Sequence, residues 1–432
     1  MKRKLLFLIL TLTLGISITS CANKQDTVKE QKETQTNTTK QDETETDATE
    51  DEQTAENEET IPPLKVEEKR YYSNKDGIEI KTSYQIPVFE NSEDEENYPA
   101  LKQVFDELRK NLDEEAQKHY EDYSEYIQLV GDLMSGNLMQ NEKELTITRF
   151  DEKYISFTIE TTMYEDGNHQ YYNVVGKTYD VQTGEEVNLQ DVVNDKDLFL
   201  QKYEDGIRFN FGDSYDYLSP NPNKYFEKLR ATDGLDLTWC LNYEGITIYA
   251  YYEFSNHDLP SQVAKLYYDD APSAYNREYF DIGDEYIFPS ANTIKVDVDG
   301  DSEREVLQSE LNDIDKHIHA WNISYEDKIL IVENKKEDAQ AYLIKKNNQY
   351  YLLTIETKAE TQKASLIDLK TLTLDEDNVV EESFAGIQPL PTDAEEKTVV
   401  TNELRQLISA NRIYVGENIY TINKDGKLTK RK

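Results

Sequence analysis

The chain has 432 residues, with 87 Asp and Glu against 47 Lys and Arg, a formal net charge of −40. A field of that sign repels nucleic acid and anionic lipid and attracts cations or basic partners, which sets nucleic-acid binding aside. Two cysteines in the whole chain make no disulfide framework, so stability must come from a packed core.

The first residues, Met1-Lys2-Arg3-Lys4, are basic, and Leu5 to Ile18 is apolar except at Thr11, Thr13, Gly15 and Ser17. A spanning helix needs roughly 20 apolar residues, so this run has the size and charge order of a signal-peptide core. Ile18-Thr19-Ser20-Cys21 follows and resembles a lipobox, whose cysteine receives a diacylglyceryl group. Residues 1–20 are read as a lipoprotein signal peptide and Cys21 as the lipid anchor, on the extracytoplasmic face of the cell membrane. The alternative is an ordinary signal peptide with a chance cysteine.

Residues 21–64 are read as an acidic stalk. To about Thr60 they are Thr, Gln, Asn, Glu, Asp and Lys with almost no branched apolar or aromatic side chain. Such a segment buries too little apolar surface to offset its ordering entropy and is expected to be disordered. Its own repulsion extends it, and Pro62-Pro63 marks its end.

Folded sequence starts with Tyr71 to Phe89, an alternating stretch around Lys75-Asp76-Gly77 that predicts a hairpin. Pro99 to Tyr126 predicts a helix, with Leu101, Val104, Phe105, Leu108 and Leu112 as its apolar stripe and the Glu and Lys residues between them as a solvated face. Ile155 to Tyr164 alternates with period two and predicts a half-buried strand, and Tyr171 to Val181 predicts the next. Helices are expected over Asp195 to Ile207 and Pro222 to Leu229, then a hairpin over Leu237–Leu241 and Ile246–Tyr252. The fold class is therefore α+β, an antiparallel sheet packed with a long helix.

Three stretches carry a resemblance: Ser83 to Val88 leading into the long helix, the strand–loop–strand from Phe157 to Tyr179, and Asp180-Val181-Gln182-Thr183-Gly184-Glu185-Glu186-Val187-Asn188-Leu189. Together they resemble the domain-of-unknown-function family 3298, preceded by its small helix-and-strand partner domain, over residues 65–288. The family often has Gly-Ala-His in the central loop, where this chain has Gly167-Asn168-His169. Ser255-Asn256-His257-Asp258 departs from the family's Gly-containing continuation. The same pair of domains occurs in a lysozyme-sensing anti-sigma factor and ahead of a peptidoglycan deacetylase. The resemblance thus implies a basic protein such as lysozyme, or a cell-wall ligand, as partner.

Residues 289–432 read as a β-rich C-terminal domain, a partial propeller being one arrangement, with a final helix around Glu403 to Ala410. Within it, Asp297-Val298-Asp299-Gly300-Asp301-Ser302-Glu303-Arg304-Glu305 places oxygens at alternate positions around a glycine. That spacing suits the oxygen shell of Ca²⁺. Asp297, Asp299, Asp301, Glu303 and Glu305 are the candidate ligands, and a plain acidic turn is the alternative. His317 and His319 would share one side of a strand, but no third ligand is placed beside them.

The chain contains no Gly-x-Ser-x-Gly, His-Glu-x-x-His, phosphate loop or dinucleotide fingerprint, and Cys240 sits in an apolar hairpin as a packing residue. No catalytic residue is assigned. Tyrosine is favoured at recognition surfaces, and Tyr171, Tyr172, Tyr249, Tyr251 and Tyr252 are the candidate aromatic face, ordinary strand packing being the other use of Tyr. The expected function is a non-enzymatic binding lipoprotein. The alternative is an accessory or catalytic protein of cell-wall carbohydrate processing.

Overall fold

The computed structural model describes residues 61–75, 77–130, 138–164, 170–218, 221–232, 234–249, 263–281, 286–289, 293–301, 303–315, 318–325, 328–334, 338–358, 360–384, 390, 394–404 and 409–431. The signal peptide, Cys21, residues 22–60 of the stalk, His169, His257, His317, Tyr251 and Tyr252 lie outside the described residues. Ile61 onward belongs to the folded unit, which runs from Glu58 to Lys432. Pro62, Pro63 and Leu64, expected in the stalk, are buried, because the first strand begins at Leu64 and its apolar end is already in the core.

The predicted first hairpin is β1 (Leu64–Lys75) and β2 (Ile78–Phe89), paired from Leu64↔Phe89 to Lys75↔Ile78 and turned by Gly77 at φ +80°. A short helix α1 (Ser92–Asn97) is capped by Asn91, whose side chain accepts from the Asp94 N–H. The long helix α2 (Pro99–Val130) follows, burying Leu101, Phe105, Leu112, Ala116, Tyr120 and Tyr123. It carries the chain back along the sheet, so β3 (Leu138–Phe150) runs parallel to β2, as a helical crossover requires. β4 (Tyr154–Tyr164) and β5 (Gln170–Asp180) continue as antiparallel neighbours.

β4 is buried on both faces near its start. Ile155, Phe157 and Ile159 face α2, while Ser156 and Thr158 are also buried. The cover on this back face comes from β6 (Trp239–Leu241), β7 (Gly245–Tyr249) and β8 (Val263–Tyr267). The Leu241 N–H donates to Ser156 Oγ at 2.9 Å. Gly176 lets the Trp239 carbonyl approach so closely that a Cβ would stand 1.8 Å from it. Over Ile155–Ile159 the expected half-burial fails because these small side chains on one face admit a second backbone, whereas from Glu160, exposed beside buried Thr161, the strand is open on that face.

Between β5 and β6 lie α3 (Leu189–Val192), α4 (Lys196–Phe211) and α5 (Pro222–Ala231), the second of them N-capped by Asp195 and the third by Asn221. Phe199, Leu200, Tyr203, Phe226 and Leu229 pack there with Leu241, Ile246 and Ile248 as a second core. Buried Arg149 on β3 fastens this core to the first sheet. Its guanidinium donates to Asp151 and to the Tyr279 carbonyl and lies 5.2 and 5.5 Å from the Tyr154 and Tyr243 rings.

The C-terminal region is β-rich, as expected. After β9 (Tyr286–Pro289) come β10 (Thr293–Val296), β11 (Glu305–Asp315), β12 (Ile318–Tyr325) and β13 (Lys328–Asn334), a four-stranded meander. A second meander has β14 (Asp338–Lys346), β15 (Gln349–Lys358), β16 (Thr361–Asp368) and β17 (Thr373–Ser383), with β9 added against β14. The meanders share a core of Val296, Leu307, Ile323, Leu343, Leu352 and Ile367. β18 (Thr398–Leu404) follows, then a small sheet of β19 (Ile413–Val415), β20 (Asn418–Ile422) and β21 (Leu428–Lys430). The fifth strand and the three-stranded sheet break the blade repeat that a propeller needs.

Two boundaries differ from expectation. The final helix over 403–410 is replaced at its start by β18, which pairs with β1 from Val66↔Leu404 to Tyr72↔Thr398. The first sheet is therefore β18-β1-β2-β3-β4-β5, and a division at 288/289 would fall inside β9 and leave that sheet without its edge strand. Among the described residues no helix is long and apolar enough to cross a membrane.

Candidate metal centre and recognition surface

β10 and β11 are joined by the acidic loop, and Gly300 at φ +84° makes its turn. The loop is wound by its own carboxylates: Asp297 Oδ1 accepts from the Gly300 N–H at 2.7 Å, Asp299 Oδ1 from Asp301 at 3.1 Å, and Asp301 Oδ1 from Glu303 at 2.7 Å. Glu305, buried at the head of β11, reaches back to accept from the Val298 N–H at 2.5 Å. Oxygens of Asp297, Asp299, Asp301 and Glu305 all lie within 4.8 Å of one another. Ligands on opposite sides of a cation bound at ~2.4 Å are separated by about that much, so the four carboxylates fit a hard divalent ion. Glu303 stands outside the group, exposed, with its backbone N–H engaged at Asp301. The five-residue ligand set is thus corrected to four.

The aromatic face does not assemble as one surface. Tyr171 pairs with Met163 and points to the α2 side, whereas Tyr172 pairs with Thr162 and points to the back; neighbours on a strand alternate. Tyr249 turns inward, its hydroxyl 3.6 Å from Cys240 Sγ, and burial pushes its phenol up. Cys240 is fully buried and its thiol is likewise raised by desolvation, the reverse of an activated nucleophile.

A different apolar group is visible instead. Gln140 near the start of β3 pairs with Tyr164, which pairs with Gln170 at the start of β5. The Tyr123 hydroxyl donates to the Gln140 carbonyl at 3.5 Å, bringing the last turns of α2 to the same end of the layer. Exposed Tyr126, Leu129 and Tyr171 therefore lie at this end on the α2 side, with Leu129 82% exposed and Tyr172 on the opposite face. Exposed Glu121, Asp122 and Glu125 lie beside them on α2. Of these three apolar residues, Tyr171 is among the tyrosines singled out from the sequence. Tyr126 and Leu129 lie at the fraying end of the helical stripe, where sequence alone offers no sign of exposure.

Acidic groups also face one another on the back of the first sheet. Glu144 and Glu160 are directly opposite across β3 and β4. Both carboxyls reach solvent, yet desolvation by the surrounding sheet, then the neighbouring Glu142 and Glu68, raises Glu144, and desolvation with Glu144 raises Glu160. On the α2 side the charges are balanced. Asp113 accepts from the Tyr71 hydroxyl at 2.5 Å, the Tyr84 hydroxyl at 3.0 Å and Gln117 at 2.8 Å, and Lys69 lies 2.8 Å away. Burial alone would raise the Asp113 carboxyl, but the bonds from Lys69, Tyr71 and Tyr84 outweigh it and hold it below its usual range. Asp113 lies one residue beyond Leu112, outside the Glu and Lys positions read as a solvated face, and sequence reasoning did not single it out.

No family model matches this chain, and no curated protein matches it. Among solved structures, it resembles a member of the DUF3298 family from Bacteroides fragilis, with 12% identity over 50% of this chain and 95% of that one and a TM-score of 0.36. It also resembles a DUF3298 family protein from Pseudomonas aeruginosa, with 11% identity over 51% of this chain and 98% of that one and a TM-score of 0.33. Neither likeness bears on ligand or activity. Both of these solved structures are described as members of the family that the sequence pattern resembles.

Proposed function

We propose that this protein is a membrane-anchored, extracytoplasmic binding lipoprotein that presents an acidic module to a basic protein, lysozyme being the concrete candidate. The observation that carries the reading is where the charge lies. Residues 61–432 hold 74 Asp and Glu against 40 Lys and Arg, net −34, so the folded unit and not the stalk carries most of the −40. Exposed Tyr126, Leu129 and Tyr171 with the acidic side chains beside them at one end of the α2 face support this reading, since an interface of this kind joins a desolvated centre to charge for steering.

The test is binding of lysozyme to the fragment from Glu58 to Lys432 and to the whole mature chain, at rising salt. The fragment is expected to bind almost as well as the mature chain. Association should slow toward ~0.15 M salt, where screening acts over about 8 Å, with dissociation little changed. Binding that requires the stalk, or that vanishes at physiological salt, refutes the proposal. Anchoring is tested separately: Cys21→Ser should leave the membrane fraction or stay unprocessed, since the lipid attached at Cys21 supplies most of the anchoring in this reading. Normal processing and unchanged membrane association would rule Cys21 out. For the acidic loop we propose Ca²⁺, whose flexible oxygen shell accepts carboxylates in number where Mg²⁺ retains water.

A further inference from the structure

A cavity of about 220 Å³ lies where the β6–β8 module meets the C-terminal strands, lined among others by Glu244, Asp269, Lys295, Asp297, Arg304 and Lys345. Two atoms near it are buried without a hydrogen-bond partner among the described residues, Glu244 Oε1 and Arg304 Nη1. The other arm of Arg304 is used, Nη2 donating to Asp269. Lys295 lies 3.9 Å from Asp270, and Lys345 lies 5.6 Å from the centre of the Tyr350 ring.

Unpaired buried polar atoms are destabilising, more so when charged, and ask for a partner supplied from outside. Three cations border the cavity against three carboxylates, of which Asp269 is spent on Arg304 and Asp297 turns into the acidic loop, accepting there from the Gly300 N–H. Glu244 adds no sure negative charge: burial pushes its carboxyl up to about 8, although Arg304 and Lys265 pull it down. A protonated carboxyl is a donor, so it and the guanidinium both offer hydrogens to one acceptor. The space is below the ~300–1,000 Å³ of sites for drug-sized ligands.

We infer that this cavity is a binding site for a small monocarboxylate, held by the free arm of Arg304 and by Glu244, with Lys295 and Lys345 supplying positive potential. Water bridging Glu244 to Arg304 is the rival occupant.

The experiment titrates the mature protein with acetate against chloride at constant ionic strength, followed by calorimetry and thermal melting. Chelator is present throughout, so the outcome does not depend on cation binding in the acidic loop. Acetate should bind saturably and raise the melting temperature where chloride does not. Arg304→Gln should weaken acetate at least about tenfold, as loss of a charge-assisted bond does. Should that variant fail to fold, Lys345→Met, on a separate strand, carries the same test with a smaller loss. A response to acetate no greater than to chloride, or unaltered affinity in the variants, overturns the inference and leaves water in the cavity.

Discussion

Asp113 and the acidic loop treat carboxylates in opposite ways. Under α2, one carboxylate is surrounded by Lys69, Tyr71, Tyr84 and Gln117, and its charge is answered within the fold. Between β10 and β11, four carboxylates converge within 4.8 Å, while the nearby Arg304 turns to Asp269. The first arrangement ties a helix to a sheet. The second gathers four carboxylates around backbone N–H donors, an arrangement that could hold a metal ion. At Asp113 the carboxylate is answered by hydroxyls and an ammonium, whereas in the loop it is answered by main-chain N–H groups.

The comparison breaks most visibly at Asp113. Asp113→Ala removes the acceptor of two phenols and the partner of an ammonium, and the loss is expected to be about 2–4 kcal/mol in urea unfolding. Because its folded pKa is lowered from 3.8, this contribution is present above that value and drains as pH falls through the folded value. The cost of Asp113→Asn should shrink on acidification; a cost under about 0.5 kcal/mol at neutral pH would show the network to be idle. Next in size is the cation effect. At a free Ca²⁺ concentration 100-fold above its dissociation constant, stability should rise by about 2.7 kcal/mol. Asp297→Asn with Asp301→Asn should abolish that gain and Glu303→Gln should keep it. Identical melting in calcium and in chelator reduces the loop to an acidic turn. The smallest effect has the opposite sign. Glu160→Gln relieves the cross-strand repulsion from Glu144 and should stabilise by about 0.2–1 kcal/mol at neutral pH. Glu160 is raised from 4.5, so its favourable contribution is complete below that value and lost as pH rises through the folded value. The benefit of the substitution should accordingly disappear in acid. A destabilised variant at pH 7 would mean that Glu160 has a partner.

Local pattern was legible where one element decides its own environment. The Leu101–Phe105–Leu112 stripe marked α2, and Lys75 and Gly77 flanked the hairpin turn, because period and turn chemistry are properties of a short window. Four of the five loop carboxylates were legible from spacing; Glu303 was not excluded, since its distance from the others depends on the turn. What the window cannot contain was missed. The run Thr398-Val399-Val400-Thr401 is β-branched, but nothing nearby says that β1 awaits it. Ser156, Thr158, Thr178 and Gly176 were the sign of a second backbone on the sheet, visible only once β4 and β5 are in register. Glu244 and Arg304 are 60 residues apart and meet only through the packing of two regions.

Asn402 donates to Glu68 across 334 residues of chain, and that span sets an order of events. Chains grow at ~5–20 residues per second, so β1 is made roughly 15–65 s before the strand that covers it. Through that interval the first sheet has an open edge, the kind of surface that recruits other chains. Lys65, Glu67, Glu68, Lys69 and Arg70 crowd five charges onto β1 and repel strangers while β18 is still unmade. A chain stopped anywhere before Thr398 keeps that edge and has those charges, in place of β18, to hold other strands off it.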